Sequence, residues 1–541
     1  MNRKMISRTA LTVTILVFFI VIGFYFYYLL SQKEKEAEMN LFTLIPQTSI
    51  AIVETQNINY LFHNMDKLDY GQPYDSLNVS DLLDKLKNSF KVLSESKVHG
   101  LSSQMSRVFI SFHQPNTVKD QILYCKLGLE DKAFIEEFIH QNTSKDFPPK
   151  TFKYKGEKIH IYSIGNDFLA CYYKADFLVI SYQEKLIEEV IDTYQNNSSV
   201  LSDSVFAGII RNQKVHADLT LYVKSSRIPH GEVTESNPRT CARIAHWTEF
   251  DIKMNPDAIY LSGTNYDTDS CHSFNNALKG QQPTKTFPIE QLPVSTYYLC
   301  QLSISDFPRM QEQVTTGKQQ TKADSCLTDY LRMNNDGTIC NFYFYDAQNN
   351  HRNLTSISLK DQSKAETDLK GLIFNYAKET PGNKHLWPRY FYTTTKGYPI
   401  YTLPEISFFT QLARKETAKE TGNQYACFYD NRLLVASNDS CIYAYIRQMN
   451  EKEAKGNNNI YEKCMAGLAN ESICLLMADM GQILPKANLY NDLLPSFFFK
   501  HKNFFKDFVM TIQFTSAQGL IYPNIILTYK SKNDNTLFSK R

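Results

Sequence analysis

An excess of charge of either sign is nearly absent from this 541-residue chain: 58 Lys and Arg stand against 56 Asp and Glu, a formal net charge of +2. A field that weak, with its basic residues dispersed, argues against nucleic acid as a partner. Tryptophan is scarce. Only Trp247 and Trp387 occur, although aromatic residues make up 13% of the chain, and two indoles offer little for a carbohydrate-stacking platform. GxGxxG and GxxxxGK(S/T) runs are missing, so nucleotide binding lacks its phosphate cradle. The 12 histidines contain no HExxH pair and no cysteine partners at zinc-site distances. From these absences the sequence predicts no catalytic residues, no cofactor-binding residues, no metal ligands and no cofactor.

Cysteine is present, 11 residues of it, but without a CxxC spacing and in an odd number. Most lie inside apolar, strand-like runs: Cys125, Cys171, Cys300, Cys340, Cys427 and Cys474. The placement predicts buried free thiols that pack as small hydrophobes.

What the chain does contain is a repeat. ACYYKADFLVIS at Ala170 to Ser181 and ACFYDNRLLVAS at Ala426 to Ser437 match without a gap at 6 of 12 positions. Flanking segments follow in the same order. LIPQTSIAI at Leu44 to Ile52 aligns with QLPVSTYYL at Gln291 to Leu299, bringing Pro46 onto Pro293. RVFISF at Arg107 to Phe112 and CKLGL at Cys125 to Leu129 align with ICNFYF at Ile339 to Phe344 and SISLKD at Ser356 to Asp361. Gly156 in YKGEKIHIY matches Gly397 in TKGYPIYT. Spacing changes only across polar stretches, as insertions confined to loops would produce.

Ahead of the repeats, Ala10 to Leu30 runs for 21 residues without a charge behind Arg3, Lys4 and Arg8. As a helix it would reach about 30 Å, enough for a bilayer, and the basic leading flank places the N-terminus in the cytoplasm. The bulky FYFYYLL end lacks the small residues of a cleavage site, which predicts an uncleaved signal anchor.

Alternating apolar residues predict antiparallel strands in each repeat. Helices are expected over Lys132 to His140 and Ala365 to Tyr376, and again after each repeated serine. Ser181, with Glu184 three residues on, reads as the N-cap of a capping box, and Ser437 as its counterpart with Asp439 in the first turn. No Gly-x-Ser-x-Gly elbow surrounds either serine. The fold class expected is therefore α+β: one N-terminal transmembrane helix, then two tandem, duplicated α+β domains with antiparallel sheets. The expected organisation is a cytoplasmic tail (1–9), the transmembrane anchor (10–30), a charged linker (31–40), repeat 1 (41–270), a linker (271–288), repeat 2 (289–530) and a polar tail (531–541). Residues 495–508, PSFFFKHKNFFKDF, are the most unusual local composition, read as core of the second repeat with membrane or partner contact as the alternative.

The order Leu/Ile-Pro, Tyr-x-Gly-x-x-Ile-x-x-Tyr, then A-x-Y-x-x-x-x-LVIS before a helix resembles an uncharacterised family of bacterial envelope proteins, a domain of unknown function. Leu44 to Pro46, Gly156 to Tyr162 and Ala170 to Ser181 carry the resemblance, and the chain's style resembles proteins of the Bacteroides group. The second copy departs from the pattern in TKGYPIYT and in Ala436, which stands where Ile180 does. The resemblance implies a single-pass envelope protein with no catalytic residues to carry over. The expectation is a membrane-anchored, non-enzymatic binding or scaffolding protein of the envelope. It would sit in the cytoplasmic membrane through residues 10–30, its bulk periplasmic or extracellular, with the lipid bilayer and an envelope protein as partners. The alternatives are an envelope hydrolase whose site is invisible in sequence and an accessory subunit of a membrane complex.

Overall fold

The computed structural model describes residues 39–58, 107–114, 119–128, 148–164, 167–174, 176–212, 217–225, 245–267, 274–314, 322–379, 389–393, 396–403, 424–450, 464–486 and 496–530. Two compact units divide them: one holds the described residues up to Ile210, the other those from Arg211 onward.

The first unit contains β1 (Ala51–Thr55), β2 (Val108–Phe112), β3 (Gln121–Lys126), β4 (Lys150–Tyr154), β5 (Glu157–Ile164), β6 (Asp167–Tyr173) and β7 (Phe177–Ser181). They pair antiparallel in the order β4-β5-β6-β7-β3-β2-β1. Helix α1 (Glu184–Asn196) follows β7 and buries Leu186, Ile187, Val190 and Ile191, the stripe that 3.6-residue periodicity brings to one face.

In the second unit the strands are β8 (Leu219–Val223), β9 (Trp247–Met254), β10 (Ala258–Tyr266), β11 (Thr284–Lys285), β12 (Tyr298–Ser303), β13 (Asn335–Tyr345), β14 (His351–Leu359), β15 (Arg389–Tyr392), β16 (Gly397–Leu403), β17 (Gln424–Tyr429), β18 (Arg432–Ala436), β19 (Glu471–Ser472), β20 (Cys474–Asp479), β21 (Phe508–Ala517) and β22 (Leu520–Tyr529). Apart from a small β11–β19 pair, they form one antiparallel order, β8-β9-β10-β22-β21-β20-β12-β13-β14-β18-β17-β16-β15. Helices α2 (Gln362–Glu379) and α3 (Asp439–Asn450) complete the elements used below. The run β15-β16-β17-β18-β14-β13-β12 repeats the pairing order of the first unit strand for strand. Helix α3 follows β18 as α1 follows β7, burying Cys441, Ile442, Tyr445 and Ile446.

This architecture corrects the expected fold class. Antiparallel sheet dominates, and the described residues do not form a spanning helix followed by two self-contained tandem α+β domains. Strands β8 to β10, which the repeat pattern assigns to the first copy, belong to the second compact unit, where β10 pairs with β22 from Ala258↔Thr528 to Asn265↔Ile521. The physical reason is that β10 and β22 each end a meander and would otherwise leave open edges; pairing them satisfies both rows of backbone groups. No helix of the described residues is long and apolar enough to cross a membrane. Residues 10–30, on which the anchor was expected, lie outside the described residues, as does the helix expected over Lys132 to His140. Within the β9–β10 hairpin the strands pack closely: a Cβ at Gly263 would sit 2.6 Å from the ring of its β9 partner Phe250.

Three finer expectations also change. Counting from the matched glycines Gly156 and Gly397, the fourth residue on is His160 in one copy and Tyr401 in the other. His160 pairs with Cys171, whereas Tyr401 pairs with Ala426. Cys171 therefore corresponds to Ala426 and not to Cys427, whose thiol packs in the cluster with α3 residues Cys441, Ile442, Tyr445 and Ile446. The hairpins themselves are the same length: Cys171 pairs with Ile180 and Ala426 with Val435, nine residues on in each case. The ungapped match is displaced by one residue along the whole hairpin, and one residue reverses the face.

The β2/β13 alignment slips in the same way. Ile52 and Leu299, each six residues past its proline, pair with Ser111 and Phe342 respectively. Ser111 thus corresponds to Phe342, one residue short of the position the sequence match assigns.

Neither repeated serine is an N-cap. Ser181 is the last residue of β7 and fully buried; its hydroxyl donates to the Gln121 carbonyl (2.8 Å) and accepts from the Gln183 amide (3.1 Å). Gln183 caps α1 without a side-chain hydrogen bond, so the expected capping box is not formed. Ser437 is exposed, and Asn438 supplies the acceptor for the Ser440 amide at the start of α3 (2.9 Å). The helix is entered two residues past Ser181 and one past Ser437. Ser181→Ala should lower stability by about 1 to 2 kcal/mol, because a buried carbonyl and an amide each lose a partner; chemical denaturation measures it, and a neutral result would mean the two groups find other partners.

The Phe-rich stretch is core. Phe499, Phe504, Phe505 and Phe508 are buried with Tyr297, Tyr298, Met480 and Met510 beneath β20–β22. The cysteines expected as free thiols are unbonded, buried at 125, 171, 340, 427 and 474 and partly exposed at 300.

Candidate functional site

In the first unit a chain of polar side chains leads from the core, at Ser111, His113 and Tyr124, out to the exposed Thr48. Ser111 and His113 stand two residues apart at the end of β2 and so project from the same side of the sheet. Tyr124 comes from β3, Thr48 from the segment between Pro46 and β1, and Glu189 from α1. Ser111 Oγ lies 2.8 Å from His113 Nε2 and 3.0 Å from the Tyr124 hydroxyl. On the other side of the ring, His113 Nδ1 lies 3.3 Å from Thr48 Oγ1, which donates to Glu189 Oε2 at 3.2 Å.

Donor and acceptor balance fixes the direction of this chain. Because the Thr48 hydroxyl gives its proton to the carboxylate, it can only accept from His113, which places the imidazole proton on Nδ1. Nε2 then accepts from Ser111, and Ser111 accepts from Tyr124. Every member is satisfied with a neutral imidazole. Burial enforces that state: desolvation lowers the His113 pKa from 6.5 to about 4, against an opposing pull from Asp120. Burial likewise raises the Tyr124 phenol well above its ordinary value.

A serine hydroxyl on a neutral histidine, with a carboxylate one hydroxyl further on, has the parts of a nucleophile and its base. The surroundings decide its role. Ser111 is 0% exposed and His113 2%, so a substrate carbonyl would have to displace packed core to reach Oγ. The second unit replaces the chain with apolar groups: by strand and helix register, Phe342, Phe344 and Ala444 stand where Ser111, His113 and Glu189 do. The arrangement is a buried polar tie joining β2, β3, the segment before β1, and α1.

Sequence reasoning brought none of these residues together as a site. The one local signal was two polar side chains, Ser111 and His113, alternating along an otherwise apolar strand; Thr48, Tyr124 and Glu189 arrive from distant parts of the chain. Among the described residues no group of three or more His, Cys, Asp or Glu is placed to hold a metal ion.

The other distinctive surface lies at the sheet ends. Among the described strands β4 and β15 each have a single neighbour, and both units expose aromatic side chains there: Phe152 on β4 (45% exposed), Tyr390 and Tyr392 on β15 (56% and 72%). The two tyrosine rings stack at 6.1 Å between centroids.

A family model described as a protein of unknown function, DUF3352, matches residues 106–321. That span begins just before β2 and runs into the second unit, so an uncharacterised domain covers this part of the chain. No sequence among the curated proteins matches. Two solved structures are similar, titled "Structure of crystal form III of TP0453" and "Structure of crystal form I of TP0453". Identities are 9% and 10%, TM-scores 0.27 and 0.26, with 46% of this chain covered in both cases and 91% and 88% of the other chains. Likeness at this level supports no statement about fold or role.

Proposed function

We propose that the protein is a non-enzymatic binding or scaffolding protein of the bacterial cell envelope, which docks a partner protein along the terminal strands of its sheets. The observation that carries this reading is the exposure of Phe152, Tyr390 and Tyr392 on β4 and β15, the same strand of the shared order in each unit. A terminal strand offers unpaired backbone groups as well as side chains, the two components of strand-addition recognition. Export is supported by the uncharged run of residues 10–30 behind Arg3, Lys4 and Arg8, a type of segment that directs a chain out of the cytoplasm. The burial of Ser111 supports a role without catalysis.

The test is affinity capture from envelope extracts with the full chain and with a Phe152→Lys, Tyr390→Lys, Tyr392→Lys variant. A specific partner should bind the variant at least about tenfold more weakly, since exposed aromatics dominate interface energetics, with the melting temperature unchanged. Equal binding by the two proteins would remove the terminal strands from the interface. Stoichiometric labelling of Ser111 by a serine-directed phosphonate would overturn the non-enzymatic reading.

A further inference from the structure

We propose that Cys300 and Cys474 are a redox-responsive pair that closes to a disulfide across the centre of the second unit's sheet. The pairing of β12 with β20 sets Cys300 opposite Leu476 and Leu302 opposite Cys474, so the two cysteines are diagonal neighbours on one face of adjacent strands. The two thiols are near enough to act on each other's ionisation: the interaction favours the thiolate at Cys300 and disfavours it at Cys474, so Cys300 is the first to ionise. Exposure agrees with that order: Cys300 is only partly buried, while Cys474 is 4% exposed. The nearby Cys340 is not a competitor, since it pairs with Gln301 and so projects from the opposite face. In the first unit the place of Cys300, seven residues past the proline, is taken by Val53, so the pair belongs to the second unit alone.

The oxidant is a small or protein disulfide of the extracytoplasmic type. The Cys300 thiolate attacks one of its sulfurs, forming a mixed disulfide while the oxidant's own S–S bond breaks and its first sulfur leaves as a thiolate. Cys474 loses its proton and attacks Cys300 Sγ; the mixed disulfide breaks and the second sulfur of the oxidant leaves. Two electrons pass from the protein to the oxidant, and the protons of both cysteines end on the oxidant's two thiols. The new bond joins the β8-β9-β10-β22-β21-β20 half of the order to the half that begins at β12. This holds independently of the proposed binding role.

The experiment treats the reduced full-length protein with glutathione disulfide, alkylates in denaturant and maps peptides by mass spectrometry. The expected result is a Cys300–Cys474 cross-linked peptide and two fewer alkylated thiols, reversed by dithiothreitol. In C474A, Cys300 should instead accumulate as the glutathione mixed disulfide. Should C474A fail to fold, the wild-type peptide map decides alone. Both thiols remaining alkylatable, a lasting glutathione adduct on wild-type Cys300, or a link from Cys300 to any other cysteine would each overturn the proposal.

Discussion

Arg107→Ala is expected to cost about 3 kcal/mol of stability, through the charge it leaves behind. Glu54 on β1 is 0% exposed, and the Arg107 guanidinium reaches its Oε1 with Nε at 3.1 Å and Nη2 at 2.5 Å; Gln56 Nε2 adds a third donor at 2.6 Å. The arginine is itself 30% exposed, so it gives up little hydration to make the pair, whereas the carboxylate has given up nearly all of its own. Removing the arginine therefore takes the cationic partner from a buried carboxylate. The repeat supplies the rescue. Glu54 and Gln301 each stand eight residues past their proline, and Gln301, also 0% exposed, is satisfied by neutral partners: it accepts from the Phe287 amide (2.7 Å) and donates to the Lys285 carbonyl (2.8 Å). Glu54→Gln in the Arg107→Ala background should recover most of the loss, to within about 1 kcal/mol of Glu54→Gln alone. Urea denaturation of the four proteins measures the cycle. A loss below about 1 kcal/mol for Arg107→Ala, or additive effects in the double variant, would show that the pair does not hold the carboxylate.

The same residues show how far the sequence can be read. Pro46 and Pro293 set β1 and β12 in register because no insertion separates either proline from its strand, and the burial of Ile52, Glu54, Leu299 and Gln301 follows that register. Turn glycines were equally legible: Gly156 has φ 86°, a conformation that favours glycine and marks the β4–β5 hairpin. The ACxY match was legible as a strand pair and misleading as a residue alignment, since its identities run one residue out of step with the backbone register of the two hairpins. Apolar identity also says little about facing when strands are covered on both sides, as the unbroken burial of Phe177 to Ser181 shows. The β10–β22 joint could not be read at all. Strand-to-strand pairing is written in backbone groups common to every residue, and Thr528 carries no mark of Ala258.

Acid should destabilise this protein through His113, by about 3 kcal/mol between pH 6.5 and pH 4. Burial lowers the folded-state pKa to about 4 from the 6.5 of an exposed imidazole. Above pH 6.5 both states hold a neutral ring and the residue contributes no pH dependence. As the pH falls from 6.5 to 4 the unfolded chain takes up a proton that the folded chain refuses, so the balance moves toward unfolding; below 4 both states are charged and the loss is complete. A shift of 2.5 units at about 1.36 kcal/mol each sets the size. The groups facing the ring are Ser111, Thr48 and the Asp120 carboxylate, with Glu189 beyond the threonine, and the attraction of Asp120 for the cation works against burial without cancelling it. Phe344 occupies the matching place in the second unit, which makes His113→Phe the natural comparison. At pH 7 the variant should lose about 1 to 2 kcal/mol, because Ser111 loses the acceptor of its proton and Thr48 the donor to its oxygen. From pH 6.5 to 4, however, it should lose about 3 kcal/mol less than the wild type does, carboxylate protonation being common to both. Denaturant midpoints at pH 7 and pH 4.5, with an NMR titration of the His113 ring protons, read the two predictions separately. Parallel loss in the two proteins, or a ring that titrates near 6.5 in the folded state, would place the proton on His113 without cost and refute the directed chain from Tyr124 to Glu189.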